Sequence, residues 1–139
     1  MFRAISLILA AAVLFLIAGC VTSQSMAIGP TTYPPRPKDY VITVYIGTDA
    51  PVFVHRSIAN PRAISDIPSG ATEIGRVDAK GAPAASWGSV IADAMTRARA
   101  LGGDGLVIGQ WGNPTLGIDQ YGNLRRGKAI SMTVIRYNP

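Results

Sequence analysis

Trp87-Gly88-Ser89-Val90-Ile91-Ala92-Asp93-Ala94-Met95-Thr96-Arg97-Ala98-Arg99-Ala100-Leu101-Gly102-Gly103-Asp104-Gly105-Leu106-Val107-Ile108 is the stretch that decides the fold. Trp87, Val90, Ile91, Ala94, Met95, Ala98 and Leu101 recur at three- and four-residue spacing, which gathers them on one face of a helix. The spacing predicts a helix from about Pro83 to Leu101, opened by Pro83 or Ser86. Arg97 and Arg99 fall in its last turns, where cations meet the negative end of the helix dipole. Gly102-Gly103 ends it, because glycine supplies the left-handed residue that closes a helix. Asp104 to Gly109 then reads as a buried strand. At this spacing the aromatic and methionine stripe is core, not a ligand groove.

Strands are predicted on both sides. Tyr40 to Ile46 is rich in β-branched and aromatic residues and stops at Gly47. Val52-Phe53-Val54 reads as a short second strand, and His55 to Gly70 as loop or one helical turn, given Asn60, Pro61 and Pro68. Glu73 to Asp78 alternates polar and apolar residues like a half-buried strand. The last strand is Ala129 to Tyr137, an antiparallel neighbour of Asp104–Gly109. Between these two, Gln110 to Lys128 reads as a long flexible connection marked by Gly112, Gly117, Gly122 and Gly127. The fold class is therefore α/β (α+β): a small mixed sheet of four to five strands with one main amphipathic helix on one face. The helix and its two flanking strands suit either a right-handed parallel crossover or an antiparallel arrangement.

The other informative stretch is the start of the chain. Arg3 is followed by an apolar run from Ala4 to Ala18 broken only by Ser6, then Gly19 and Cys20, the single cysteine. A positive start, a short apolar core and small residues before a cleavage point make a secretory signal peptide. About fifteen apolar residues fall short of the ~20 that a membrane-spanning helix needs. Leu16-Ile17-Ala18-Gly19-Cys20 resembles the lipobox of bacterial lipoproteins. That resemblance implies cleavage between Gly19 and Cys20, a diacylglycerol on the Cys20 thiol and three acyl chains in all. Val21 stands where the enteric-type sorting rule has an inner-membrane aspartate, which implies the periplasmic leaflet of the outer membrane. Residues 1–19 are thus expected to be a lipoprotein signal peptide, residues 20–39 a lipidated cysteine with a Pro-rich tether, and residues 40–139 a single α/β domain. Pro30, Pro34, Pro35 and Pro37 make the tether semi-rigid. Extended at about 3.1 Å per residue, Val21–Asp39 reaches on the order of 60 Å.

The 139-residue chain carries a net charge of +5, and +4 without residues 1–19. Its basic residues are scattered apart from Arg125-Arg126 with Lys128, and no basic stripe interleaves with aromatics. Nucleic acid is therefore not an expected partner. With Cys20 acylated no disulfide can form, so burial alone stabilises the domain.

Ala98-Arg99-Ala100-Leu101-Gly102-Gly103-Asp104-Gly105-Leu106-Val107-Ile108 also resembles the helix-to-strand junction of the YbjQ-like group of small bacterial domains and of the Rcs stress-sensor lipoproteins. Glu73-Ile74-Gly75-Arg76-Val77 is similar to the strand that precedes the helix in those families. The likeness covers residues 73–109 and implies a helix packed on a small mixed sheet. The paired domain cysteines of the Rcs lipoproteins have no counterpart here, and neither their disulfide sensing nor a metal role carries over.

Catalytic chemistry finds few candidates. One histidine, no thiol beyond Cys20 and singly spread acids do not form a metal set, and Met26, Met95 and Met132 are too few for copper. His55 with Ser57 is the one candidate dyad, without a nucleophile-elbow motif. Asp66 and Asp104 are the acids to test beside His55. Gly102-Gly103-Asp104-Gly105 follows a helix instead of opening one, so the dipole has the wrong sign for phosphate. The strongest binding candidate is the 110–128 connection. There Trp111, Tyr121, Asn113, Asn123, Arg125 and Arg126 combine aromatic faces, hydrogen-bonding groups and positive charge. Trp111 and Tyr121 either form a recognition surface or fold back over the sheet. The expected function is a membrane-anchored periplasmic binding, accessory or envelope-sensing module with no cofactor, whose partner is an envelope protein or peptidoglycan. The alternatives are a cell-wall-associated hydrolase and a passive peptidoglycan-contacting lipoprotein.

Overall fold

The computed structural model of the protein describes residues 20–139. The signal-peptide expectation for residues 1–19, including the cleavage position at Gly19, lies outside the described residues. Among those described, no helix is long and apolar enough to cross a membrane.

The chain forms β1 (Val21–Ala27), β2 (Thr43–Ile46), α1 (Val52–Arg56), β3 (Arg62–Ala63), a 3-10 turn (Ile64–Asp66), β4 (Thr72–Gly81), α2 (Trp87–Ala100), β5 (Gly105–Gly112), β6 (Thr115–Ile118), β7 (Leu124–Arg126) and β8 (Lys128–Arg136). Six strands make one mixed sheet in the order β1-β4-β8-β5-β2-β3, and β6 pairs with β7 in a second, two-stranded sheet. The class is the expected α/β, with a larger sheet. β4 and β5 are each antiparallel to β8, so they run parallel to one another with β8 inserted between them.

The helix follows its periodicity. Trp87, Val90, Ile91, Ala94 and Ala98 are buried, and Met95 and Leu101 pack against the same core. Facing them are Val77 and Ala79 of β4, Leu106 and Ile108 of β5, and Ile130, Met132 and Val134 of β8. The Ser86 side chain caps the first turn by accepting from the Ser89 N–H at 3.0 Å. The last turn closes in a Schellman motif: Gly103 N–H reaches Ala98 O, Gly102 N–H reaches Arg99 O, and Gly102 has φ +81°. The opposite sheet face stays polar, with Arg76, Asp78 and Lys80 of β4 exposed on it, as an antiparallel sheet with one wet face allows.

Three expectations need correction. Val21–Asp39 is not a free tether. Seven residues from Val21 to Ala27 pair with Gly75–Gly81 as a full edge strand. This strand hides from a reading of hydrophobicity because Ser23 is its only buried side chain; backbone bonds hold it instead. The Pro-rich segment after it lies across the end of the helix. Arg36 N–H donates to Arg99 O at 2.8 Å, and the Arg136 guanidinium sits 4.6 Å from the centre of the Tyr33 ring. Second, Val52–Val54 is helical, because Val54 is fully buried and Phe53 packs on Trp87, so tertiary contact overrides β-propensity. Third, Gln110–Lys128 is not a loop. β5 continues through Gly112, and β6 and β7 form a hairpin that prolongs the β5–β8 pair beyond a bend at Asn113-Pro114 and Gly127.

Candidate functional site

This hairpin arm is the candidate site. At its base the Asn113 side-chain amide donates to Gly127 O at 2.9 Å, and Gly127 N–H donates to Pro114 O at 2.9 Å. At its tip Asp119-Gln120-Tyr121-Gly122 makes a turn, closed by Gly122 N–H on Asp119 O and by Gly122 at φ +81°. The Asp119 carboxylate accepts from the Asn123 and Tyr121 N–H groups at 2.8 and 2.9 Å. The Asn123 N–H, helped by Tyr121 N–H and the Asn123 amide, holds this carboxyl below its ordinary range. The one acid of the arm is thus committed to its turn.

What the arm presents outward is apolar and cationic. Ile118 and Leu124 are directly opposed across the two strands, 68% and 54% exposed, and Tyr121 at the turn is 80% exposed. Arg125 and Arg126 are exposed beside them, and no ion pair engages either among the described residues. Ordinary soluble hairpins keep at least one apolar face packed, since a two-stranded ribbon gains little stability alone. This one has every residue of both strands exposed.

Trp111 and Tyr121 are not brought together. Trp111 sits in β5 at the base, its ring edge-on to Phe53 with centroids 6.1 Å apart, and Phe53 in turn meets Trp87 at 6.1 Å. Trp111 is still 39% exposed, so it is packed on one side and open on the other. Asn113 and Asn123, expected as recognition groups, hold the base and tip of the arm instead.

The other candidates are spread apart. The Ser57 hydroxyl donates to Phe53 O at 2.8 Å, and no hydrogen bond joins it to His55. Asp66 is exposed on the 3-10 turn. Asp104 is 3% exposed and fully engaged: Arg36 Nη2 and the Tyr40 hydroxyl donate to Oδ1, both at 2.6 Å, and Tyr137 N–H donates to Oδ2 at 2.9 Å. Burial pushes this carboxyl up, but the Tyr40 and Tyr137 hydrogen bonds and the charges of Arg36 and Arg136 outweigh it and hold Asp104 below the ordinary carboxylate range. Met26, Met95 and Met132 lie on β1, α2 and β8, and among the described residues no three His, Cys, Asp or Glu side chains converge.

Cys20 is exposed, a free thiol directly ahead of β1, and its carbonyl accepts from Ala82 N–H at 2.9 Å. Beside α2 lies a groove of about 840 Å³, lined in part by Val41, Ile42, Ile58, Pro61, Ile91 and Met95 and without a signature in the sequence. Ile91 and Met95 of the helix stripe, expected as core and not as a groove, form part of its lining. Comparison with protein families, with curated proteins and with solved structures finds no match.

Proposed function

We propose that this chain is a lipid-anchored protein of the bacterial envelope, held through Cys20 at the periplasmic face of the outer membrane, whose α/β domain acts by binding. The β6–β7 arm is its contact surface. The observation that carries the reading is the exposure of Ile118, Tyr121 and Leu124 on a rigidly capped hairpin beside two exposed arginines. Apolar side chains with cations next to them in the same strand, on a protruding element, are the composition of an interaction surface, and they add nothing to the core. Two of the four hydrolase candidates have other partners: Ser57 bonds a backbone carbonyl, and Asp104 clamps Arg36, Tyr40 and Tyr137. The lipobox at Leu16–Cys20 supports the anchor.

The test is a photo-crosslinking residue at Tyr121 in living cells, with the same residue at Asp66 as control. An adduct formed from position 121 and not from 66, protein or lipid, supports the arm as contact surface. Equal capture from both positions, or none from 121 in the folded protein, overturns it. Fatty-acid labelling that disappears in Cys20→Ser is expected of the anchor, and labelling that persists removes Cys20 as its site.

A further inference from the structure

Register fixes where the anchor and the arm lie relative to each other. Val21 pairs with Gly81, Gly81 pairs with Lys128, and Ala129 pairs with Gly112. The start of β1, the end of β4 and the base of the arm therefore occupy one end of the sheet. Two strand spacings, about 10 Å, separate Val21 from Lys128. Contacts agree: Leu116 of β6 lies close against Gly127, whose own α-carbon faces the Gly81 carbonyl. The Asp104 clasp, the Pro-rich segment and the chain end at Pro139 are at the other end.

The absence of a tether gives this placement its consequence. Cys20 is one residue from a strand paired along its whole length, so an acyl chain on Cys20 would hold this end of the sheet within a few ångströms of the lipid headgroups. At such short range even a weak contact is populated, because a short link gives an effective concentration of about millimolar or more.

We propose that the β6–β7 arm docks on the surface of the membrane that holds the anchor, with Ile118, Tyr121 and Leu124 entering the interface and Arg125 and Arg126 pairing with anionic headgroups. The inference rests on acylation of Cys20. The partner class follows from the chemistry of that end. Arg125 and Arg126 stand on the arm and Lys80 near its base, with Lys128 donating to Pro83 O at 3.2 Å; of the nearby acids Asp119 is bound into its own turn and Asp78 accepts from the Ser131 hydroxyl at 2.6 Å. Tyrosine with a wet hydroxyl and an apolar ring suits the headgroup level, and arginine near an anionic surface is attracted at short range. A lipid anchor combined with a basic apolar patch is a two-signal attachment, which fixes orientation as well as location.

The single cysteine makes the test direct. Acylated protein beginning at Cys20 and carrying Tyr121→Cys or Ile118→Cys has one reactive thiol, which takes an environment-sensitive fluorophore. Lys38→Cys, at the opposite end, is the control. In vesicles of phosphatidylethanolamine with phosphatidylglycerol, the arm probes are expected to shift to the blue. Spin-labelled lipids should quench them several-fold more than the Lys38 probe. Arg125→Glu with Arg126→Glu should return the Tyr121 probe toward its aqueous spectrum. An arm probe as wet as the Lys38 probe, on protein whose Cys20 peptide carries its acyl mass, overturns the docking and leaves the anchor standing. An unmodified Cys20 peptide overturns both. Arm burial that tracks protein density instead of anionic lipid assigns the surface to a second copy of the chain and also overturns the proposal.

Discussion

Asp104 shows how a residue attractive to a chemist can be spent on structure. It follows the helix cap at once, so its position is set by Gly102-Gly103, and three donors converge on its carboxylate. Together they tie residues 36–40 and the end of β8 to the start of β5. Asp104→Asn keeps the shape but turns one oxygen into a donor, opposing either Tyr137 N–H or the Arg36 and Tyr40 donors. Breaking a buried pair costs about 3–5 kcal/mol, and because Arg36 is partly exposed the expected loss is lower, about 2–3 kcal/mol. Urea unfolding measures it. The pH dependence has a definite sign. Asp104 sits below its unfolded value of about 3.9, so its contribution is complete above that pH and disappears as pH falls through the lower folded value. Acid unfolding of the parent should therefore be steeper below about pH 4 than that of Asp104→Asn. At the same end Tyr45 is pushed up to about 12 by burial and by its 2.7 Å hydrogen bond to the Tyr137 hydroxyl. Its contribution is present below about pH 10 and fades above it.

At the level of elements, the helix and its cap were legible, and β1, the short β3 and both strands of the arm were not. Seven apolar residues at helical spacing, a Ser at the start and Gly-Gly at the end all describe one object, and α2 is that object. Gly102 also meets a constraint no pattern carries: a β-carbon there would lie 2.7 Å from Pro34 O and 2.8 Å from Tyr33 Cβ. Gly102→Ala thus pays about 1–2 kcal/mol for a left-handed alanine and displaces the segment packed on the cap. The expected loss exceeds that of Ser86→Ala, about 1 kcal/mol for a lost N-cap, and thermal melts of the two variants compare them directly. β1 was illegible because an edge strand needs only one partner and no apolar face; Thr22, Gln24 and Ser25 look the same in a strand and in a linker. The arm was illegible for the opposite reason. Its glycines read as flexibility, yet Gly122 supplies a positive φ in a tight turn and Gly127 a close approach to β4. The residue types of the site, Tyr121, Arg125 and Arg126, were readable, but their display on an arm depended on long-range pairing. Trp111 packs edge-on against Phe53 of α1 on one side and is open on the other.

At the level of the whole molecule, where the domain begins decides whether it folds. Composition puts the start at Tyr40, after the Pro30–Pro37 run; pairing puts it at Val21. A chain starting at Tyr40 would lose the seven-residue β1 ladder and the Arg97–Ser23 hydrogen bond. It would also lose the Arg36–Asp104 ion pair and the Tyr33 platform under Arg136. Removing Arg36 leaves Asp104 buried without its charge partner, a costly state. Removing β1 turns the ten residues of β4 into an open edge next to an uncovered flank of α2. Open edges of that length pair with whatever strand they meet. The residues 40–139 fragment is therefore expected to aggregate or to unfold at markedly lower urea than residues 20–139, as seen by sedimentation velocity and by circular dichroism. Equal stability of the two would mean that β1 is an ornament on the sheet, and a free tether would be restored. With Cys20 acylated as proposed, the domain could then stand tens of ångströms from a bilayer, too far for the arm to reach its surface. Folding and the proposed membrane contact thus hang on the same seven residues: the strand that completes the sheet would also be the shortest link between an acyl chain on Cys20 and the arm.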